Sequence, residues 1–223
     1  MNLDTPAARL AAILDRMNEV CAAHGHGPGT ATLVAVSKTF GSEDIRPVLA
    51  AGQRHFGENR VQESQSKWPA LRREFPGVTL HLIGPLQSNK AEDAVALFDV
   101  IHTLDRPKIA MALAAAIKKQ GKPVEVMIEV NTGEEPQKAG IKPRDTAGFL
   151  DHCRATLGLN VTGLMCIPPQ EEEPAVHFAF LAKLARELNL AKLSMGMSAD
   201  FETALQFGAT HIRVGSAIFG HRG

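Results

Sequence analysis

Eight short apolar segments alternate with stretches of helical periodicity along this chain, and that alternation limits the folds open to it. The segments span residues 33–38, 54–56, 78–83, 100–102, 124–130, 159–165, 192–194 and 211–214. The helical stretches span 42–52, 61–73, 87–97, 109–119, 146–156, 174–188 and 198–207, and a helix-like 217–220 closes the series. Apolar runs such as Leu33-Val34-Ala35-Val36 read as strands buried on both faces, while the spacing of Ile45, Val48 and Leu49 reads as helix. Strands joined by crossover helices run parallel, and eight such units are the number that closes a (β/α)8 TIM-type barrel. The alternative is an open doubly wound sheet, but no GxGxxG follows the first strand to support it. One extra N-terminal helix precedes the barrel. Thr5 can cap it, Pro6 suits its first position, and Leu10, Ile13, Leu14 and Met17 recur at helical spacing up to a turn at 24–29. This helix is expected to cover one end of the barrel.

A chain of 223 residues suffices for one such barrel, and no repeat, low-complexity stretch or linker divides it. A single domain over residues 1–223 is therefore expected. Lysine plus arginine equals aspartate plus glutamate at 24 each, so no net field recruits nucleic acid or an anionic membrane. Asp4 and Arg16 interrupt the N-terminal segment, and no apolar run approaches membrane-spanning length. Cys21, Cys153 and Cys166 are odd in number and lack CxxC spacing, which argues for a reduced compartment without disulfides or a zinc site. The cytosol fits. The nine histidines are scattered, and His24 and His26 sit in a Gly-rich turn that reads as solvated loop.

In a (β/α)8 barrel the chemistry lies at the carboxyl ends of the strands. Lys38 closes the first strand. A lysine with a water-poor stem there would lose its preference for the ammonium form and offer a nucleophilic amine for Schiff-base chemistry. The plain alternative is a lysine that snorkels to solvent. Two loops give Lys38 a partner. In Ser194-Met195-Gly196-Met197-Ser198-Ala199-Asp200 the glycine permits close backbone approach, and Ser198 can begin a helix whose free amides cradle a phosphate. In Arg213-Val214-Gly215-Ser216 the amides of Gly215 and Ser216 can complete that cradle, and the loops after strands 7 and 8 often bind phosphate in barrels. A reactive lysine opposite a phosphate cradle leaves two candidates: pyridoxal phosphate (PLP) held on the lysine, or a sugar-phosphate lyase that forms an imine with its substrate.

The motifs Val36-Ser37-Lys38, Phe56-Gly57-Glu58-Asn59, His81-Leu82-Ile83-Gly84-Pro85-Leu86-Gln87-Ser88-Asn89-Lys90, Gly163-Leu164-Met165, the Ser-Met-Gly-Met-Ser run at 194–198, and 212–220 closely resemble the PLP homeostasis protein family. Members of that family are relatives of the alanine racemase barrel, and the resemblance covers residues 32–222. It implies PLP on Lys38, the PLP phosphate at Ser198, Gly215 and Ser216, Asn59 near the cofactor, and Arg213 facing the pyridine nitrogen. The chain departs from the family pattern at Arg60, where an aromatic is frequent, and at Cys166, where a threonine is frequent.

A carboxylate beside the pyridine nitrogen would keep the ring a strong electron sink, whereas an arginine only donates to an unprotonated nitrogen. Carbanions would be poorly stabilised. That weighs against transamination and β-elimination, whereas racemisation remains open with such an arginine but needs a second acid/base, which alanine racemases draw from a partner tyrosine beside a C-terminal β domain. This sequence contains no tyrosine, and it ends at Gly223, so that domain is expected to be absent. Cys166 and His81 are the substitute bases near strand ends, though a buried small thiol and a hydrogen-bonding histidine are the plainer readings. Glu134, Glu135 and Asp105 read as solvated loop charge, and Glu171, Glu172 and Glu173 as a solvated helix start. The expected role is carriage or delivery of PLP in vitamin B6 homeostasis, possible recipients being PLP-dependent apo-enzymes. A racemase-like enzyme of the same fold is the alternative. Loss of the second domain removes a dimerisation surface, so a monomer is expected.

Overall fold

The structure is a computed structural model that describes residues 5–27 and 29–220. The ends of the expected 1–223 domain, including Arg222 and Gly223, lie outside the described residues. Eight strands, β1 (Thr32–Val36), β2 (His55–Glu58), β3 (Thr79–Leu82), β4 (Val100–Leu104), β5 (Glu125–Glu129), β6 (Asn160–Met165), β7 (Lys192–Met197) and β8 (His211–Val214), pair in parallel and in sequence order. Pairing of β1 with β8, Thr32 opposite His211 through Ala35 opposite Val214, closes the barrel. The helices are α1 (Pro6–Ala23), α2 (Ser42–Ala50), α3 (Val61–Glu74), α4 (Ala91–Leu97), α5 (Pro107–Gln120), α6 (Thr146–Asp151), α7 (Pro174–Glu187), α8 (Phe201–Gln206) and α9 (Ser216–Phe219). The (β/α)8 reading is correct.

Local chemistry sets the ends of these elements. Thr5 caps α1 with Oγ1 accepting from the Ala8 amide at 3.2 Å, and Pro6 opens it. Contrary to expectation, α1 does not plug a barrel end. It joins the outer layer against α2, α8 and α9, where Arg9 Nε donates to the Ile218 carbonyl at 2.7 Å. The largest shift lies at residues 194–200. β7 runs on to Met197, and α8 starts at Phe201, so Ser198 does not begin a helix. The Met197 amide donates to Asp200 Oδ1 at 2.6 Å and the Asp200 amide to the Met197 carbonyl at 3.1 Å, and this turn postpones the helix by three residues.

Two kinds of core follow from the strand alternation. Leu80, Leu82 and Ile101 point outward to a large apolar layer under the helices, with Trp68 and Phe56 packed at 5.0 Å between ring centroids. The barrel interior is partly polar: Val100, Met127 and Met165 form a small apolar group, while His81, His102, Ser194 and Arg213 are buried beside them. Gly196 has φ +90°, and a Cβ there would lie 2.5 Å from the Ala204 Cβ on α8. Its role is strand–helix packing. Gly196→Ala is expected to cost about 2–3 kcal/mol through combined strain and overpacking, read as a lowered midpoint in urea. A midpoint equal to that of the parent would mean that β7 and α8 can separate freely. Among the described residues no helix is long and apolar enough to cross a membrane.

Candidate functional site

Val36 ends β1, and the chain then turns through Thr39 at φ 68°, leaving Lys38 at the carboxyl end of the barrel. Lys38, Asn59, Ser198, Arg213, Gly215 and Ser216 all line one cavity of about 460 Å3. The sequence placed all six together, and the fold brings them together. A larger cavity of about 600 Å3 adjoins across Asn59 and is cationic, with Arg60, Lys90 and Arg106, but it contains none of the other five. Lys38 is exposed at the mouth, so the expected water-poor stem is not found. The reason is that the strand ends two residues earlier, and the turn lifts the side chain out of the apolar layer.

The phosphate cradle also differs in detail. Ser198 sits in the 197–200 turn, and the helix that starts at the site is α9, with Gly215 at its cap position. The hydroxyls of Ser216 and Ser198 face each other at 3.3 Å. Gly84 positions the remaining member: a Cβ there would lie 2.4 Å from the Asn59 carbonyl oxygen, so only glycine lets the two loops pass.

Arg213 is 5% exposed and is held by neutral groups, its Nη1 donating to Ser194 Oγ at 2.6 Å and its Nη2 to the Cys166 carbonyl at 3.0 Å. Burial lowers its pKa from the usual arginine value. The substitute bases are poorly placed for that role. His81 is 1% exposed and bonded at both nitrogens by other histidines, and burial pushes the Cys166 thiol up to about 12. Two carboxylates were misjudged. Asp105 is paired with Arg106 at 2.5 Å, its side chain is 8% exposed, and that burial raises its pKa. Glu135 is partly buried and paired with Lys138 at 2.6 Å. Glu134 is exposed, as are Glu171, Glu172 and Glu173.

Sequence reasoning missed the network that fixes the Lys38 loop. Glu58, fully buried, accepts through Oε1 from Ser37 Oγ at 2.6 Å and Trp68 Nε1 at 3.0 Å, and the same oxygen is ion-paired with Lys67 Nζ at 2.9 Å. Lys67 Nζ also donates to the carbonyls of Ser37 at 2.9 Å and Phe40 at 3.0 Å, on either side of Lys38. Burial raises the Glu58 pKa, and Lys67 opposes that rise. A glutamate at the end of the short strand, directly after Phe56-Gly57, was the available signal. Glu129, at the end of β5, was missed as well: burial, then Asp105, push its carboxyl up to about 7.

Residues 8–223 match the family described as alanine racemase, N-terminal domain. A pyridoxal phosphate homeostasis protein of Pseudomonas aeruginosa is 40% identical over 225 residues, covering 99% of this chain and 97% of that protein. The chain belongs to the pyridoxal phosphate homeostasis protein family. Another member, from Escherichia coli, is 37% identical over 229 residues, covering 97% of this chain and 96% of its own. Among solved structures, PipY of Synechococcus elongatus with PLP bound is 38% identical at a TM-score of 0.82, covering 97% of this chain and all of that one. The family motifs at 36–38, 56–59, 194–198 and 212–220 are, in this structure, the strand ends and loops around the 460 Å3 cavity.

Proposed function

We propose that this chain is a single-domain PLP-binding barrel that tethers the cofactor on Lys38 and acts in intracellular PLP homeostasis as a carrier rather than a catalyst. The observation that supports it is the meeting of an amine, an arginine and two facing hydroxyls in one cavity of ligand size. The residues fit the group: Lys38 is the amine for its aldehyde, Ser198, Ser216 and the Gly215–Ser216 amides suit its phosphate, and Arg213 can donate to its ring nitrogen. PLP, when bound, supplies an aldehyde that condenses with amines and a ring that withdraws electrons. Arg213 has no acceptor and cannot protonate or hold a proton on that ring, which argues for holding over turnover. Cytosolic location, a monomeric state and delivery to apo-enzymes belong to this reading.

Ser198→Ala with Ser216→Ala is expected to weaken PLP retention about hundredfold, near 1.5 kcal/mol for each hydrogen bond to a charged group, with no change in melting temperature. Equilibrium titration followed by absorbance checks it. Unchanged affinity would place the phosphate elsewhere.

The observation that favours a racemase-like enzyme is Glu129, a carboxyl poised near neutrality by burial and Asp105 at the same barrel mouth. Incubation of the PLP-loaded protein with single enantiomers of alanine and serine separates the readings. Enantiomers that stay unchanged support the carrier. Turnover above a Lys38→Ala control, abolished by Glu129→Gln, would establish the enzyme.

A further inference from the structure

Four histidines that look scattered in the sequence meet inside the barrel: His55 on β2, His81 on β3, His102 on β4 and His211 on β8. Three form a hydrogen-bonded column. His55 Nδ1 lies 3.0 Å from His81 Nε2, His81 Nδ1 lies 2.9 Å from His102 Nε2, and His102 Nδ1 lies 2.8 Å from Ser194 Oγ. Ser194 Oγ also accepts from Arg213 Nη1 at 2.6 Å, so the column crosses the interior and ends at the candidate cavity. We propose that His102 and His81 are positioning residues which, through Ser194, hold the Arg213 guanidinium at the cofactor cavity. This rests on the reading of that cavity as a PLP site.

The chemistry of the last link gives the column one direction. A guanidinium can only donate. Ser194 is fully buried and accepts from Arg213, so its single hydroxyl proton goes to His102 Nδ1. His102 therefore carries its proton on Nε2 and donates to His81 Nδ1, and His81 donates from Nε2 to His55 Nδ1. Every lone pair in the row points toward Arg213, and every N–H points away. A row of acceptor ends stabilises a buried cation without neutralising it. That leaves the guanidinium charge for a ligand, since Ser194 and the Cys166 carbonyl are both neutral. The column cannot carry a proton into the cavity, because it terminates on a group that does not release one.

Protonation would break this arrangement. A charged His102 has no lone pair for Ser194, and the hydroxyl would then face donors from two cations. Burial holds His81 and His102 well below the usual histidine value, with like charge from neighbouring groups adding to it. The groups that act on the column and on Arg213 are His55, Asp99, Glu125, Glu129, Cys166, Lys192, Asp200 and His211. The folded pKa is depressed, so the column stays neutral and intact through the ordinary histidine range of about 6.5 and is lost only as pH falls well below it.

The test titrates PLP into the full chain at pH 8, followed by absorbance, for the parent, Ser194→Ala, His102→Leu, His102→Gln and Lys38→Ala. Ser194→Ala and His102→Leu are expected to bind about tenfold more weakly at pH 8, the scale of one hydrogen bond, with a displaced absorption band. His102→Gln can accept from Ser194 and donate to His81 but does not titrate. It is expected to recover most of the affinity and the parent band. Parent affinity and band in Ser194→Ala, or a His102→Gln that binds no better than His102→Leu, would overturn the positioning role. If His102→Leu does not fold, Ser194→Ala decides alone, since it removes one oxygen. A parent that binds no more PLP than Lys38→Ala would instead overturn the cofactor reading, and the positioning role with it.

Discussion

Lys38→Ala is expected to abolish the PLP chromophore that borohydride fixes onto the protein, and to lower PLP retention by at least about hundredfold, some 2.8 kcal/mol at 1.4 kcal/mol per tenfold. The fold should not notice. Lys38 is exposed beyond the end of β1, and surface substitutions away from buried features usually stay within about 0.5 kcal/mol. A parallel loss of binding and of stability would therefore point to unfolding rather than to a missing tether. Absorbance before and after reduction, with the modified peptide identified, reads the result. A label that persists in the variant, on another lysine, would sink the assignment of Lys38.

Lys67→Met is expected to destabilise the protein by about 3–5 kcal/mol, because it strands a buried carboxylate. Glu58 is fully buried and Lys67 is 5% exposed, so solvent cannot take over the lost partner. The sign against pH is a second check. Burial already raises the Glu58 pKa and Lys67 lowers it, so removal of Lys67 lets it rise further. A carboxyl whose folded pKa stands above its unfolded value loses stability as pH rises, so the deficit of the variant should grow from acid to neutral pH. Glu58→Gln should cost less, since the amide still reaches Ser37 and Trp68 and Lys67 keeps Glu63 at 2.9 Å. Urea unfolding at pH 5 and pH 8 measures both variants. A deficit in Lys67→Met below about 1 kcal/mol, flat with pH, would show that Glu58 is folded in its neutral form. Because Lys67 holds the carbonyls of Ser37 and Phe40, the variant should also retain PLP less well.

Much of the barrel was legible because strand and helix differ in period, and the period survives in the sequence. The segment at 211–214 is β8 to the residue, and 174–188 is α7 within one. The misses occur where one local signal competes with another. Ser198 looked like a helix cap, but Asp200 captures the Met197 amide and delays the helix. Lys38 looked like a strand end with a dry stem, but β1 stops at Val36. The six candidate site residues still converge, because each was chosen at the carboxyl end of a strand or in the loop after it, and a closed barrel gathers those ends at one mouth.

By itself the sequence determined the alternation, hence the barrel, and the residue types that a PLP cavity needs after strands 1, 2, 7 and 8. Only the tertiary structure decided which interior side chains share a layer. His55, His81, His102 and Ser194 are separated by 139 positions from first to last, yet they stand in one hydrogen-bonded row. Periodicity tells which face of a strand a residue occupies, but the stagger between strands sets its height in the barrel, and that stagger is fixed only when all eight strands close.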